Sequence, residues 1–342
     1  MSPMTVSLPM CSVNFMDTTL SVEEQAVADR IAELKAELGE DLLILGHHYQ
    51  RDSIVMHADF LGDSFMLSQK AADSKAKHIV FCGVHFMAES ADILTSDEQN
   101  VILPNLRAGC SMADMATLTE VEVAWEEILK ASGLSDPINR ADPDQAVSEG
   151  EAYLVPVTYM NSSADLKDFV GRHGGVVCTS SNAEGVLNWA FERAGPKGAV
   201  LFFPDQHLGR NTGLAMGISA DRMPTWTPGI GAMGELKGAR IVLWHGFCSV
   251  HKRFTPQQIH DFRSEHPMVS WSFTPNVLVR PLTSPMPMAQ RNTFAISSRT
   301  NLLARASPSV PKSTWWLVSP PSTRTSTSNA WTKKSVPVQP CT

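Results

Sequence analysis

The last glycine of this 342-residue chain is Gly246, and from His266 to Thr342 there is no aspartate or glutamate, although that stretch holds eight lysines and arginines. Acidic residues make up about an eighth of an ordinary sequence, so a gap this long arises by chance roughly once in ten thousand tries. No apolar run approaches the roughly 18–20 residues that span a bilayer, which excludes a helical membrane protein. The opening segment, MSPMTVSLPMCSVNFMDTTL, lacks the basic and apolar regions of a secretory signal, so a cytoplasmic enzyme is the expectation. The net charge of −7 comes without a basic stripe, which argues against nucleic acid as a partner. The six cysteines (Cys11, Cys82, Cys110, Cys178, Cys248 and Cys341) include no CxxC pair. That argues against structural zinc, and in a cytosolic chain it argues against a disulfide framework.

What is present divides at about residue 268. All 35 acidic residues lie before His266, while the length and 43% hydrophobic content of the whole chain suit two or three α/β units. The remainder is rich in Ser, Thr and Pro, with Trp315, Trp316 and Trp331 in no periodic pattern. A disordered basic tail is one reading; translation out of frame is the other. The tail's Leu, Val, Trp and Phe content favours the second. Joining the third base of each codon to the first two of the next permits V-I-H-P-E-C across Trp271 to Val277. The same shift permits A-D-A-D-G-S-T-E-Y-I across Ser284 to Phe294. Degeneracy allows other letters, but both strings are acidic, and the second contains glycine, as the printed tail does not. A frame shift near residues 268–271 is the preferred reading.

Before the break, strands and helices alternate. Ser21 and Glu24 form a capping box that opens an amphipathic helix with Val27, Ile31, Leu34 and Leu38 on one face. Buried strands are expected over Asp41–Gly46, His78–Cys82, Val101–Leu103, Tyr153–Tyr159, Gly175–Cys178, Ala199–Phe203 and Arg240–Leu243. Helices are expected from about Ser64, after Met87, through Trp189 and from Thr255. This alternation predicts parallel α/β layers, in which ligands gather beyond the carboxyl ends of the strands. The informative residues fall there. A Cys-Ser step recurs at 110–111 and 248–249, which suggests a duplicated or triplicated unit aiming cysteines at a shared centre.

Ser64, Ser162, Ser180 and Ser181 stand where a strand gives way to a helix, where N–H groups favour anions. Carboxylate or phosphate binding and ordinary N-capping both fit. His47 and Tyr49, in the polar run after the first strand, suit acid–base chemistry and a hydrogen bond to a carbonyl or enol. His85, His207, His245 and His251 read as supporting or structural. Cys82 and Cys178 end apolar runs and read as small core residues. Cys110 and Cys248 lie in Gly-flanked turns. Three distant thiolates holding an iron–sulfur cluster are compatible with such spacing, and free thiols are the other reading.

The strings ILGHHYQ, ADFLGDS, FCGVHFMAESADILTS, LPNLRAGCSMADM, VTYMNSSADLKDF, VCTSSNAEGVL, FFPDQHLGRNT and GFCSVHKRFTPQQI together resemble the quinolinate synthase family, across nearly all of residues 24–268. The resemblance implies three similar αβα domains with parallel sheets around a central cavity. These would be 24–118, 119–250 and 251–342, after a leader at 1–23, with the third in family register only to about 268 and disrupted beyond. It implies condensation of iminoaspartate with dihydroxyacetone phosphate to quinolinate in NAD biosynthesis, on a 4Fe–4S cluster held by three cysteines. An upstream L-aspartate-oxidising enzyme would supply the first substrate. Carried over by motif, Cys110 and Cys248 resemble the first and second cluster ligands. His47 and Ser64 resemble contacts to substrate carboxylates, Tyr49 the tyrosine that assists condensation, and Tyr159, Asn161 and Ser180 the second domain's substrate contacts. Two departures stand out. Where the family has His-Pro-Glu this chain reads Thr274-Pro275-Asn276, and where it has Gly-Ser-Thr this chain reads Ala289-Gln290-Arg291. Cys341 is no credible third ligand. The expectation is therefore a family member impaired in cluster binding and activity, or a non-catalytic remnant that binds dicarboxylates or phosphates.

Overall fold

Seven apolar runs, each three to seven residues long and each followed by a polar turn, set the architecture, because a strand buried on both faces can be apolar throughout. A computed structural model describes residues 20–140, 147–148, 150–253, 257, 261 and 264. Helix α1 (Val22–Leu38) opens as its sequence directs: Ser21 Oγ accepts from Glu24 N at 3.1 Å, and the Glu24 carboxylate accepts from Ser21 N at 2.9 Å. Its apolar stripe is largely uncovered. Val27 is 60% exposed, and Ala28 is the residue that packs inward. The helix is held instead by Lys35, whose Nζ reaches His57 O at 2.8 Å and Asp59 Oδ1 at 2.6 Å.

There follow β1 (Leu42–His47), α2 (Asp52–Val55), β2 (Phe60–Gly62), α3 (Ser64–Asp73), β3 (His78–Cys82), α4 (His85–Leu94) and β4 (Asn100–Ile102). Their strands form a parallel four-stranded sheet in the order β2-β1-β3-β4. Pairing with β2, which is too short to be read from sequence, extends β1 by one residue. His47 thereby sits in the strand opposite Gly62 rather than in the turn.

The second set comprises α5 (Leu118–Ser132), β5 (Leu154–Tyr159), α6 (Ala164–Arg172), β6 (Val176–Cys178), α7 (Ala183–Ala194), β7 (Ala199–Phe203), α8 (Gln206–Ala215), β8 (Thr225–Thr227), β9 (Gly231–Met233) and β10 (Ile241–Trp244). The six strands run in the order β6-β5-β7-β10-β8-β9, parallel except for the hairpin β8–β9. That hairpin escapes the sequence reading because each arm has three residues. Its turn uses Gly229 at φ 72°, a left-handed conformation that costs glycine little.

All five residues of β7 are buried. Ala199, Leu201 and Phe203 enter one core cluster, with Trp125, Phe169 and Trp244; Val200 and Phe202 enter the opposite one, with Val155, Leu187 and Leu243. The period-2 alternation thus fills both faces of one sheet. A third cluster covers the first sheet around Leu45, Ile79 and Phe81, and Met160 of the second set joins it. The fold is α/β with parallel sheets. The helix expected from Thr255 (apart from isolated residues), the third unit, Cys11, Cys341, most of the leader and the segment past 268 lie outside the described residues.

Candidate functional site

The candidate side chains lie at the carboxyl ends of the strands of both sheets, and those two ends face each other. Glu89 of α4 accepts the N–H of Ala164, the first residue of α6, at 3.0 Å. The Trp244 indole donates to Met115 O at 2.7 Å. Ser111 Oγ and Ser249 Oγ stand 3.4 Å apart although 138 residues separate them in sequence. The two Cys-Ser turns therefore meet.

His47 ends β1 and is 4% exposed. Its ring lies 3.7 Å, centre to centre, from that of Tyr49 and 4.2 Å from that of His48. Burial, reinforced by His48, holds its pKa down at about 3, so the imidazole is neutral at ordinary pH. Its Nδ1 accepts the Tyr49 N–H at 3.4 Å, which leaves Nε2 to carry the proton. Burial, with Cys110 next in effect, pushes the Tyr49 phenol well above its ordinary range. Both groups are therefore hydrogen-bond donors at neutral pH. Ser64 opens α3 two residues past Gly62, the cross-strand neighbour of His47. The helix is capped by Asp63, which accepts from Met66 N at 2.8 Å. Ser64 is thus in the first turn rather than the cap, which sets aside the capping reading for this serine.

The second sheet contributes Tyr159 at the end of β5 and Ser180 just beyond β6. Burial, then Asp205 and Cys178, raise the Tyr159 phenol, while a hydrogen bond from Ser180 works the other way. Asn161 Nδ2 stands 3.8 Å from Cys110 Sγ. Ser162 is fully buried and serves its own turn, its hydroxyl donating to Tyr159 O at 2.8 Å. Helix α7 starts without a side-chain cap bond at Asn182, so its first N–H groups, just after Ser180 and Ser181, are open to an anion. Cys110, Asn161, Tyr159 and Ser180 form one group, and His47 with Tyr49 another that reaches Cys110 through Tyr49. Cys248 joins them through the serine contact. His85 is paired with Glu89 at 3.2 Å, as a supporting residue would be.

Two residues were not singled out from sequence. Lys167 is 8% exposed, donates to Ser162 O at 2.6 Å and stands 5.6 Å over the Phe86 ring. Burial lowers its pKa to about 8 against the pull of Glu89 and Asp165. It fastens the turn that carries Asn161. A lysine beside Leu166 in an otherwise apolar helical stripe was the available signal. Asp205 is fully buried and caps α8 through His207 N at 2.9 Å and Leu208 N at 3.3 Å.

A three-thiolate set is not completed among the described residues. Cys178 is fully buried, and burial raises the thiols of both Cys178 and Cys82, the opposite of what a thiolate ligand needs. Among the described residues no three His, Cys, Asp or Glu side chains are grouped to hold a metal ion. Cys110 and Cys248, both half-buried and free, are the two remaining thiol candidates among the described residues.

The sequence model of the quinolinate synthetase A protein family matches residues 29–322, a span that continues past the compositional break. The quinolinate synthase of Corynebacterium glutamicum is 50% identical over 316 residues, covering 85% of this chain and 73% of that protein. The Acidobacterium capsulatum quinolinate synthase is 50% identical over 255 residues, 73% of this chain and 63% of its own length. That of Rhodopirellula baltica is 43% identical over 314 residues. No helix among the described residues is long and apolar enough to cross a membrane.

Proposed function

This chain belongs to the quinolinate synthetase A protein family, and on that premise we propose that it is a quinolinate synthase whose cluster-binding set is incomplete. The substrates are iminoaspartate, made by an upstream L-aspartate-oxidising enzyme, and dihydroxyacetone phosphate; the setting is the cytoplasm and NAD biosynthesis. The observation that carries this reading is the meeting of the two Cys-Ser turns, Ser111 to Ser249 at 3.4 Å, beside donors from both sheets.

In this reading the residues bind and orient. His47 Nε2 and the Ser64 hydroxyl hold one substrate carboxylate. The Tyr159–Ser180 pair, Asn161 and the open start of α7 hold the other. Tyr49, kept protonated by burial, donates a hydrogen bond to a carbonyl or enol oxygen as the carbon–carbon bond forms. A 4Fe–4S cluster would supply Lewis-acid chemistry for the dehydrations. Two thiolates do not hold such a cluster firmly, so this chain is impaired in cluster binding and turnover.

The missing acidic residues after His266 support a frame shift near residues 268–271, while the family match through residue 322 is the reason to test it directly. Resequencing the gene across codons 265–275 is that test. Anaerobic purification followed by iron and sulfide analysis tests the impairment: substoichiometric iron and no quinolinate are expected. A full cluster with quinolinate formation would overturn it. The alternative is a non-catalytic binder of dicarboxylates or phosphates. Calorimetry showing dicarboxylate binding without iron or turnover would support it.

A further inference from the structure

Helix α4 is bonded to both sides of the strand-end site. Its first N–H, that of His85, donates to Ala108 O at 2.8 Å, which moors the loop leading into Cys110. One helical turn on, the Glu89 carboxylate accepts the Ala164 N–H at 3.0 Å, although 75 residues separate the two. His85 steadies that carboxylate at 3.2 Å. Helix α6 has no side-chain cap bond from its own N-cap, Ser163, so its first N–H is satisfied from the other sheet's helix.

A second link runs beside the first. Lys167 shares the inward stripe of α6 with Leu166, Phe169 and Val170, where an ammonium is costly unless it is hydrogen-bonded. Its Nζ donates to Ser162 O at 2.6 Å and lies 5.6 Å from the ring centre of Phe86, a buried residue of α4. The rest of that turn is fastened by its own backbone: Met160 N donates to Cys178 O at 2.8 Å, and Ser162 N to Met160 O at 2.9 Å. Asn161 stands between them, with its Nδ2 3.8 Å from Cys110 Sγ. The thiol and the amide that faces it are thus both mounted on α4, the thiol through His85 and the amide through Glu89, Phe86 and Lys167.

We propose that Glu89 and Lys167 are positioning residues, a clasp between the two sheets that holds Asn161 against Cys110. Each acts through the turn at residues 160–163. An amide N–H facing the sulfur stabilises negative charge there and so favours its attack on an electrophile. Opening either half of the clasp lets the turn drift and withdraws that donor. The catalytic consequence rests on the synthase reading, whereas the clasp is read out by thiol chemistry alone, so its failure would leave iron content and quinolinate formation as separate questions.

The test is the rate of iodoacetamide alkylation of the full chain at one neutral pH, followed by mass spectrometry of the Cys110 and Cys248 peptides. Lys167→Met keeps an unbranched stem over Phe86 and removes the ammonium. It should slow Cys110 about threefold, the scale of one weak hydrogen bond, while Cys248 reacts as in the parent. With Asn161→Leu already present, Lys167→Met should slow Cys110 no further, because both act on one contact. Glu89→Leu, at a side chain 25% exposed, should slow Cys110 as Lys167→Met does, and it carries the same comparison if the buried substitution is insoluble. Glu89→Gln should react like the parent, since its carboxamide oxygen accepts the same N–H. The proposal is overturned if Cys110 keeps its rate or speeds up in either Lys167→Met or Glu89→Leu, or if Cys248 slows by the same factor. It is equally overturned if the Asn161 and Lys167 effects multiply, or if Glu89→Gln slows Cys110 as much as Glu89→Leu.

Discussion

Acidifying the protein from about pH 7.5 to about pH 5 should destabilise it through two buried histidines. In the folded chain burial holds His47 at about 3 and His207 at about 4, whereas an unfolded histidine titrates near 6.5. The unfolded state therefore binds more protons between these values, and stability rises with pH in that window. Each histidine's contribution is intact above about 6.5 and is lost as the pH falls towards its folded value. At pH 5 the unfolded side chain is roughly 1.5 pH units below its midpoint, which is worth about 2 kcal/mol per histidine, or about 4 kcal/mol for the pair. The figure is set by the unfolded state, so it holds for any folded value below about 4. Most carboxylates remain ionised at pH 5, which keeps the histidine contribution legible. Urea unfolding at both pH values would measure it, using the parent, His47→Gln, His207→Gln and the double substitution. Glutamine keeps a donor and an acceptor but does not titrate. Each substitution should remove about 2 kcal/mol of the pH dependence, whatever it does to stability at pH 7.5. Parallel pH dependence in all four proteins would refute the reasoning.

Trp244→Phe removes the indole bond to Met115 O, 2.7 Å long, from a fully buried residue that also stacks on Trp226. A loss of about 2–4 kcal/mol in urea unfolding is expected from the orphaned carbonyl and the cavity. Gly198→Ala would drive its Cβ into the carbonyl oxygens of Ala194 and Tyr153, so a loss above about 3 kcal/mol is expected, read as insoluble expression or a collapsed melting transition. Asn161→Leu removes the amide facing Cys110 Sγ. Alkylation of Cys110, followed by mass spectrometry of its peptide, should slow severalfold while Cys248 reacts as before; equal slowing at both thiols would point to a general structural effect instead.

Much of the secondary structure was legible because it rests on neighbours in sequence. The run AVLFF from Ala199 to Phe203 is a strand with the boundaries read from it, and Ser21 with Glu24 caps α1 as its spacing requires. The polar strand ends also marked His47, Tyr159, Ser180 and both Cys-Ser turns. Where burial depended on distant partners, sequence misled. The stripe from Val27 to Leu38 resembles a core face, yet Val27 is 60% exposed, because periodicity shows that a helix is two-sided but not whether anything covers it. Lys167 resembles a solvated side chain and is instead sealed beneath Phe86.

The sequence by itself determined the family, the alternation of strands and helices, and the loss of acidic residues past His266. The family follows from the eight motif strings, and the rest from local dihedral preference, hydrophobic period and composition, none of which requires the chain to close on itself. Only the tertiary structure decided that Ser111 and Ser249 touch across 138 residues and that Asn161 faces Cys110. Such contacts depend on strand order and on which sheet ends are apposed. Those are fixed by burying several core clusters at once, a condition on the whole chain that no single segment carries.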